Sequence, residues 1–188
     1  MRDPDAFEDL YADDADPWDF ATSPYEQGRY QAIAATLRRD RYRAAFEPAC
    51  SVGELTVRLA RRCDRLDALD ISPSAVAQAK ARCSDEGLTN VHLDVGSVVD
   101  HAGRGYDLIV FSELGYYFEV PDLEVVLDRV IDALEPGGEL VACHWLGSSP
   151  DHRLHGDDVH AVIATRPGLD PLGGRRHEGF RIESWHRG

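Results

Sequence analysis

Glu47, Gly53 and Asp70 have the types and spacing to hold a nucleotide-like ligand. The stretch FEPACSVGELT, residues 46–56, reads as a strand running into a tight turn and then a helix. Glu47 ends that strand, Gly53 opens the helix, and Asp70 ends the next apolar run, RLDALDI. A carboxylate in that last place accepts both hydroxyls of a ribose while the turn lies against the rest of the ligand. Turns that cradle a pyrophosphate carry several glycines, because the backbone must approach closely or adopt positive φ. Ala49 and Ser51 stand in two of those places. They are acceptable if φ is negative and the ligand has no pyrophosphate. A plain strand-to-helix turn beside a surface aspartate fits the same residues taken alone.

More candidate groups follow along the chain. Asp94 ends VHLDV, where a side-chain oxygen can take an adenine amino group. YDLIVFSELGYY ends in Ser112 and Glu113. Glu113, His144 and His160 are candidate proton acceptors. Tyr116 and Tyr117 suit a ligand pocket or hold a cation over their rings. Each also has a plainer use: Glu113 as a cap or solvated acid, His144 as a satisfied half-buried ring, His160 facing solvent, and the tyrosines as packing. The histidines show no spacing that argues for a metal.

These groups need elements to position them. SPYEQGRYQAIAATLRR predicts a helix capped by Ser23, with Tyr30, Ile33, Ala34 and Leu37 on one face. From residue 42, strands alternate with helices: YRAAFEPA, then ELTVRLARRC as a helix with Leu55, Leu59 and Cys63 on one face, then RLDALDI. Ser72 caps and Pro73 starts the next helix, SAVAQAKARC, before VHLDV. YDLIVFS reads as a strand buried on both faces. DLEVVLDRVIDAL carries one apolar stripe, EPGGELVACHW a turn feeding a fifth strand, GDDVHAVIA a short helix and FRIESW a last strand, paired with one around RRHE. Such alternation implies a parallel sheet with ligands at the carboxyl ends of its strands. The acidic first stretch, with Phe7, Leu10, Tyr11, Trp18 and Phe20, reads as an arm folded back on the body.

The chain has 188 residues and a net charge of −14. That length gives one full core, and that charge argues against nucleic acid and anionic membrane. No apolar run reaches a membrane span and no secretory signal is evident, so a cytoplasmic setting is expected. Four dispersed cysteines fit reduced thiols. The oligomeric state is left open.

Taken together, the sequence resembles class I S-adenosylmethionine-dependent methyltransferases. Their acid-x-Gly-x-Gly-x-Gly turn is matched by Glu47-Pro-Ala49-Cys-Ser51-Val-Gly53, with two glycines replaced, and their Pro-Gly-Gly turn and acid after the second strand are present. DPWDFATSPYEQGRY, SELGYYF and CHW are similar to the NodS-like branch, whose members resemble the nodulation methyltransferase that N-methylates an amino-sugar end of a chitooligosaccharide. The resemblance implies an α/β fold: one Rossmann-like domain with a mostly parallel seven-stranded sheet, an antiparallel C-terminal strand and helices on both faces. Residues 1–40 would form an arm and helix covering the cofactor, and 41–188 the methyltransferase domain. S-adenosylmethionine would be the cofactor and S-adenosylhomocysteine the product. Glu47, Ala49, Ser51 and Gly53 would shape the methionine side, Asp70 would bind the ribose, and Ile71 would lie on the adenine. Asp94 and Val95 would meet its edge, and the Ser112 carbonyl would accept from the cofactor's amino group. Arg29 would hold its carboxylate and Trp18 would cover it, unless Arg29 is an exposed helix charge and Trp18 packing. The implied activity is N-methylation of a small amine, with O-methylation or cofactor binding without transfer as alternatives. A nicotinamide enzyme is disfavoured by Glu54, which replaces its last turn glycine.

Overall fold

The alternation of two periods in the sequence becomes an alternation of layers. The computed structural model describes residues 4–188. Seven strands form a mostly parallel sheet in the order β3-β2-β1-β4-β5-β7-β6. In sequence they are β1 (Tyr42–Pro48), β2 (Cys63–Asp70), β3 (Val91–Val95), β4 (Tyr106–Ser112), β5 (Leu134–Trp145), β6 (Leu169–Arg176) and β7 (Phe180–Arg187). The helices are α1 (Pro4–Asp13), α2 (Pro24–Thr36), α3 (Glu54–Ala60), α4 (Pro73–Asp85), α5 (Val120–Ala133) and α6 (Gly156–Ala164). By compactness the chain divides into two units, one running to His101 and one covering Ala102–Gly188.

In the first unit, β1 pairs parallel with β2, and β2 with β3; Glu47 lies opposite Ala68 and Asp70 opposite Val95. Parallel register therefore brings the carboxyl ends of these strands to one rim. Ser72 caps α4 as expected: its side chain accepts from the Ala75 N–H, and Pro73 takes the first turn. The sequence puts Cys63 on the helix after the turn, but the structure gives it to β2. α3 stops at Ala60, and Cys63, fully buried, pairs with Tyr42.

In the second unit every residue of β4 is buried, as its unbroken apolar run demands. Leu108, Ile109, Val110 and Phe111 are wholly inaccessible. Burying each such side chain contributes about 1.5–3 kcal/mol. α5 buries Leu123, Val126, Leu127, Val130 and Ile131 on one stripe, while Leu134 begins β5. The β4–β5 register jumps from Leu134 to Glu139, so the Pro-Gly-Gly segment is a bulge within the span of β5. β7 runs antiparallel to both β5 and β6, and β6 includes Arg175 and Arg176 of the expected partner. Among the described residues no helix is long and apolar enough to cross a membrane.

Candidate active site

The turn after β1 keeps the shape of a glycine turn without its glycines. φ is +59° at Ala49, +51° at Ser51 and +82° at Gly53. This corrects the expectation of negative φ at Ala49 and Ser51: both sit in the left-handed region, where a side chain strains the backbone by about 1–2 kcal/mol. The surroundings hold them there. The Ser51 N–H donates to Asp70 Oδ2 at 2.9 Å, and the Cys50 N–H donates to the Leu69 carbonyl at 2.9 Å. Gly53 has no such latitude: a Cβ there would lie 2.9 Å from both Cα and Cβ of Ala79 on α4.

Asp70 is buried at the end of β2, and its other oxygen accepts from the Ser72 N–H at 3.0 Å. Burial raises its pKa, and the N–H groups of Ser72, Ser51 and Ile71 pull the other way. Glu47 is buried too, and its Oε2 has no hydrogen-bond partner among the described residues. Burial pushes its carboxyl up to about 8, opposed by the Thr56 hydroxyl and reinforced by the charge of Asp70. Ile71 is half-buried, whereas Asp94 and Val95 are exposed on the same rim, Val95 to 51%.

The arm is more ordered than its acidity suggests. α1 lays Tyr11 against Val52 and Ala75, with Phe20 alongside. The Tyr11 hydroxyl meets Ser51 Oγ at 2.5 Å. Glu8 accepts from the Ser72 and Ser74 hydroxyls, each at 2.5 Å, and from the Ser74 N–H at 3.1 Å. Trp18, 37% exposed, packs edge-on to Tyr11 and stacks with Phe20. Arg29 is not an exposed helix charge; it is buried and ion-paired with Glu26.

The second unit assembles the remaining candidates. Ser112 closes β4, buried. Glu113 follows at φ +55°, with Oε1 accepting from the Trp145 N–H at 2.7 Å and Oε2 from the Tyr116 hydroxyl at 2.8 Å. The Tyr116 ring stacks on His152 at 3.8 Å, with Tyr117 and Trp145 edge-on to the same imidazole. Burial lowers the pKa of His152, opposed by the charge of Glu113. His144 and His160 are wholly inaccessible, which excludes the solvent-facing use of His160. His144 Nε2 accepts from the Gly115 N–H at 3.1 Å, its Nδ1 lies 3.3 Å from His160 Nε2, and His160 Nδ1 lies 2.7 Å from Glu183 Oε2.

The chain matches the family model for nodulation protein S (NodS) over residues 5–154. It belongs to the NodS family. A nodulation protein S from Bradyrhizobium diazoefficiens is 31% identical over 156 residues, 79% of this chain and 72% of that protein. Against the Rhizobium tropici and Sinorhizobium fredii NodS proteins, the chain spans 56% and 59% of their length. The solved N-methyltransferase NodS from Bradyrhizobium japonicum WM9, in complex with S-adenosylhomocysteine, superposes with a TM-score of 0.85 over 97% of both chains at 21% identity, and so shares the fold. A Pseudomonas syringae chain with only a provisional methyltransferase name is 39% identical, with a TM-score of 0.73 over 87% of this chain and 99% of its own.

Several residues of this NodS-family chain beside the candidate groups escape sequence reasoning. Glu8 and Tyr11 act on residues forty or more positions away, with no local signature. His152, Trp145 and Glu183 join the second cluster only through folding. Gly53→Ala is expected to destabilise the fold by about 2–4 kcal/mol, combining left-handed strain with overpacking against Ala79. Ala49→Gly should leave stability unchanged or slightly raised, since relief of strain offsets the added chain entropy. Urea melts of both variants check this; equal effects would remove the distinction drawn between the two positions.

Proposed function

We propose that this chain transfers a methyl group from S-adenosylmethionine to the nitrogen of a small amine, such as an amino sugar, and releases S-adenosylhomocysteine. The observation that carries the reading is Asp70: backbone N–H groups, Ser51 on one oxygen and Ser72 on the other, hold its carboxylate at the end of β2 as an acceptor for ribose hydroxyls. Beside it, Ala49, Ser51 and Gly53 leave a close approach for the methionine portion, and Glu47 brings a buried carboxyl to its amino group. Ile71 and Val95 flank the adenine, Asp94 takes its amino group, and the Ser112 carbonyl keeps the role the resemblance implies. Residues 1–40 serve as a cover, with Trp18 on the outside; residues 1–3 lie outside those described. Arg29, buried and paired with Glu26, is assigned the cofactor's carboxylate. Residues 41–188 carry the transfer.

The bound donor supplies an activated methyl on sulfur. The protein's part is to align the acceptor, exclude water and keep the nitrogen unprotonated; alignment supplies most of the acceleration. Glu113 is assigned the proton the ammonium loses, and Tyr116, Tyr117 and His152 line the acceptor side. His144 and His160, with no exposed surface, support this segment from behind. A cytoplasmic setting belongs to the same proposal and is supported by four buried free cysteines. The net charge of −14 supports a small acceptor over nucleic acid.

Labelled S-adenosylmethionine offered with amino sugars, small amines and hydroxyl compounds tests this. Label on an amine is expected. Tight binding with no transfer to any acceptor makes the chain a binder, and label on oxygen alone overturns the choice of nitrogen.

A further inference from the structure

We propose that Glu183 is a positioning residue of the acceptor side, fixing through His160 and His144 the direction of a hydrogen-bond line that ends on the Gly115 amide. The inference rests on reading Glu113 and Tyr116 as the acceptor side.

The line has a fixed donor at one end and a fixed acceptor at the other. The Gly115 N–H can only donate, so His144 Nε2 must carry a lone pair. In a neutral ring Nδ1 then bears the proton and points at His160 Nε2, 3.3 Å away. His160 Nε2 must accept, so its Nδ1–H donates to Glu183 Oε2 at 2.7 Å. Both rings are wholly buried and lie edge to face, 5.2 Å apart at 86°. Each is therefore locked as its Nδ1–H tautomer, and protonating either would set two N–H groups against each other. Arg181 holds the far end by donating to Glu183 Oε1 at 2.7 Å, and Arg181 also pairs with Asp157 at 3.2 Å.

Gly115 is the point that needs holding. It begins the short 3-10 turn Gly115–Tyr117, between Glu113 and Tyr116. A Cβ on it would lie 2.4 Å from Val159 Cγ1 on α6 and 3.1 Å from His144 Nε2. The turn is pressed onto the line, and its position sets where the Tyr116 hydroxyl meets Glu113. Three distant elements, β5, α6 and β7, thus determine one backbone amide.

Glu183→Gln reverses the line. Arg181 demands the amide oxygen, so the amide nitrogen faces His160 Nδ1 and converts both rings to Nε2–H, against the Gly115 N–H. Imidazole ¹⁵N spectra of the wild type are expected to show both rings as Nδ1–H, and of Glu183→Gln as Nε2–H. Gly115 amide exchange should quicken and kcat/KM for the acceptor should fall, each by about tenfold, the size of one lost hydrogen bond. S-adenosylhomocysteine affinity, measured on both proteins, should stay within about twofold, because no hydrogen bond to it is lost. Other wild-type tautomers, or Glu183→Gln with unchanged Gly115 exchange and unchanged kcat/KM, would overturn the proposal. Spectra and exchange require no turnover, so a wild type that transfers no methyl overturns the functional reading and leaves the line judged on its own.

Discussion

Asp70→Ala is expected to weaken S-adenosylhomocysteine binding by about ten- to a hundredfold, the effect of losing about 1.5–3 kcal/mol of hydrogen bonds to a charged group. Two losses combine. The ribose hydroxyls lose their acceptor, and the Ser51 and Ser72 N–H groups lose theirs, so the turn holding Ser51 at positive φ is loosened before any ligand arrives. Asp70→Asn separates the two. It retains one carbonyl oxygen in nearly the same place, and is expected to fall between wild type and alanine. Titration calorimetry reads both, and an affinity equal to wild type in the alanine variant would remove the ribose from this carboxylate.

The second large effect concerns Glu47, whose carboxyl stays protonated up to about 8 when folded, against an ordinary value of 4.5. Between those values the unfolded chain has lost a proton that the folded one keeps, so stability declines as pH rises from about 4.5 to about 8. The loss amounts to about 3–5 kcal/mol at pH 8. Glu47→Gln removes it: the variant should be close to wild type at pH 5 and clearly more stable at pH 8 in denaturant melts. Ligand binding runs in the opposite direction. An ammonium placed against Glu47 favours its ionised form, so binding below pH 8 releases a proton and tightens by up to about tenfold per pH unit. Calorimetry of S-adenosylhomocysteine in buffers of different ionisation heat should detect that proton in the wild type and none in Glu47→Gln. The same proton count in both would exclude Glu47 as the partner of the amino group.

Much of the frame was legible because local pattern and tertiary demand agree. VHLDV, YDLIVFS and GDDVHAVIA are β3, β4 and α6 to the residue. The Ser72–Pro73 start signal held because capping is a local affair. α1 was not legible as a helix: PDAFEDLYAD has little to recommend it alone, and its supports are the Ser72 and Ser74 hydroxyls some sixty-five positions onward. The turn was legible in place but not in conformation, since side-chain identity suggests negative φ at Ala49 and Ser51 while Asp70 and β2 impose the opposite. In the second cluster, Glu113 and Tyr116 were within reach of sequence because they adjoin a strand end. The burial of His160 was not, because α6 shows which face it buries only once β5 and β7 lie beneath it.

The turn at Ala49 and Ser51 has a consequence for how such turns are recognised in sequence. Its conformation is held by a neighbouring strand through Asp70, so the left-handed geometry is kept without glycine at either position, at a strain of about 1–2 kcal/mol for each side chain. A fingerprint spelled in glycines would pass over such chains, whereas one that asks for a buried acid facing the second turn amide would retain them.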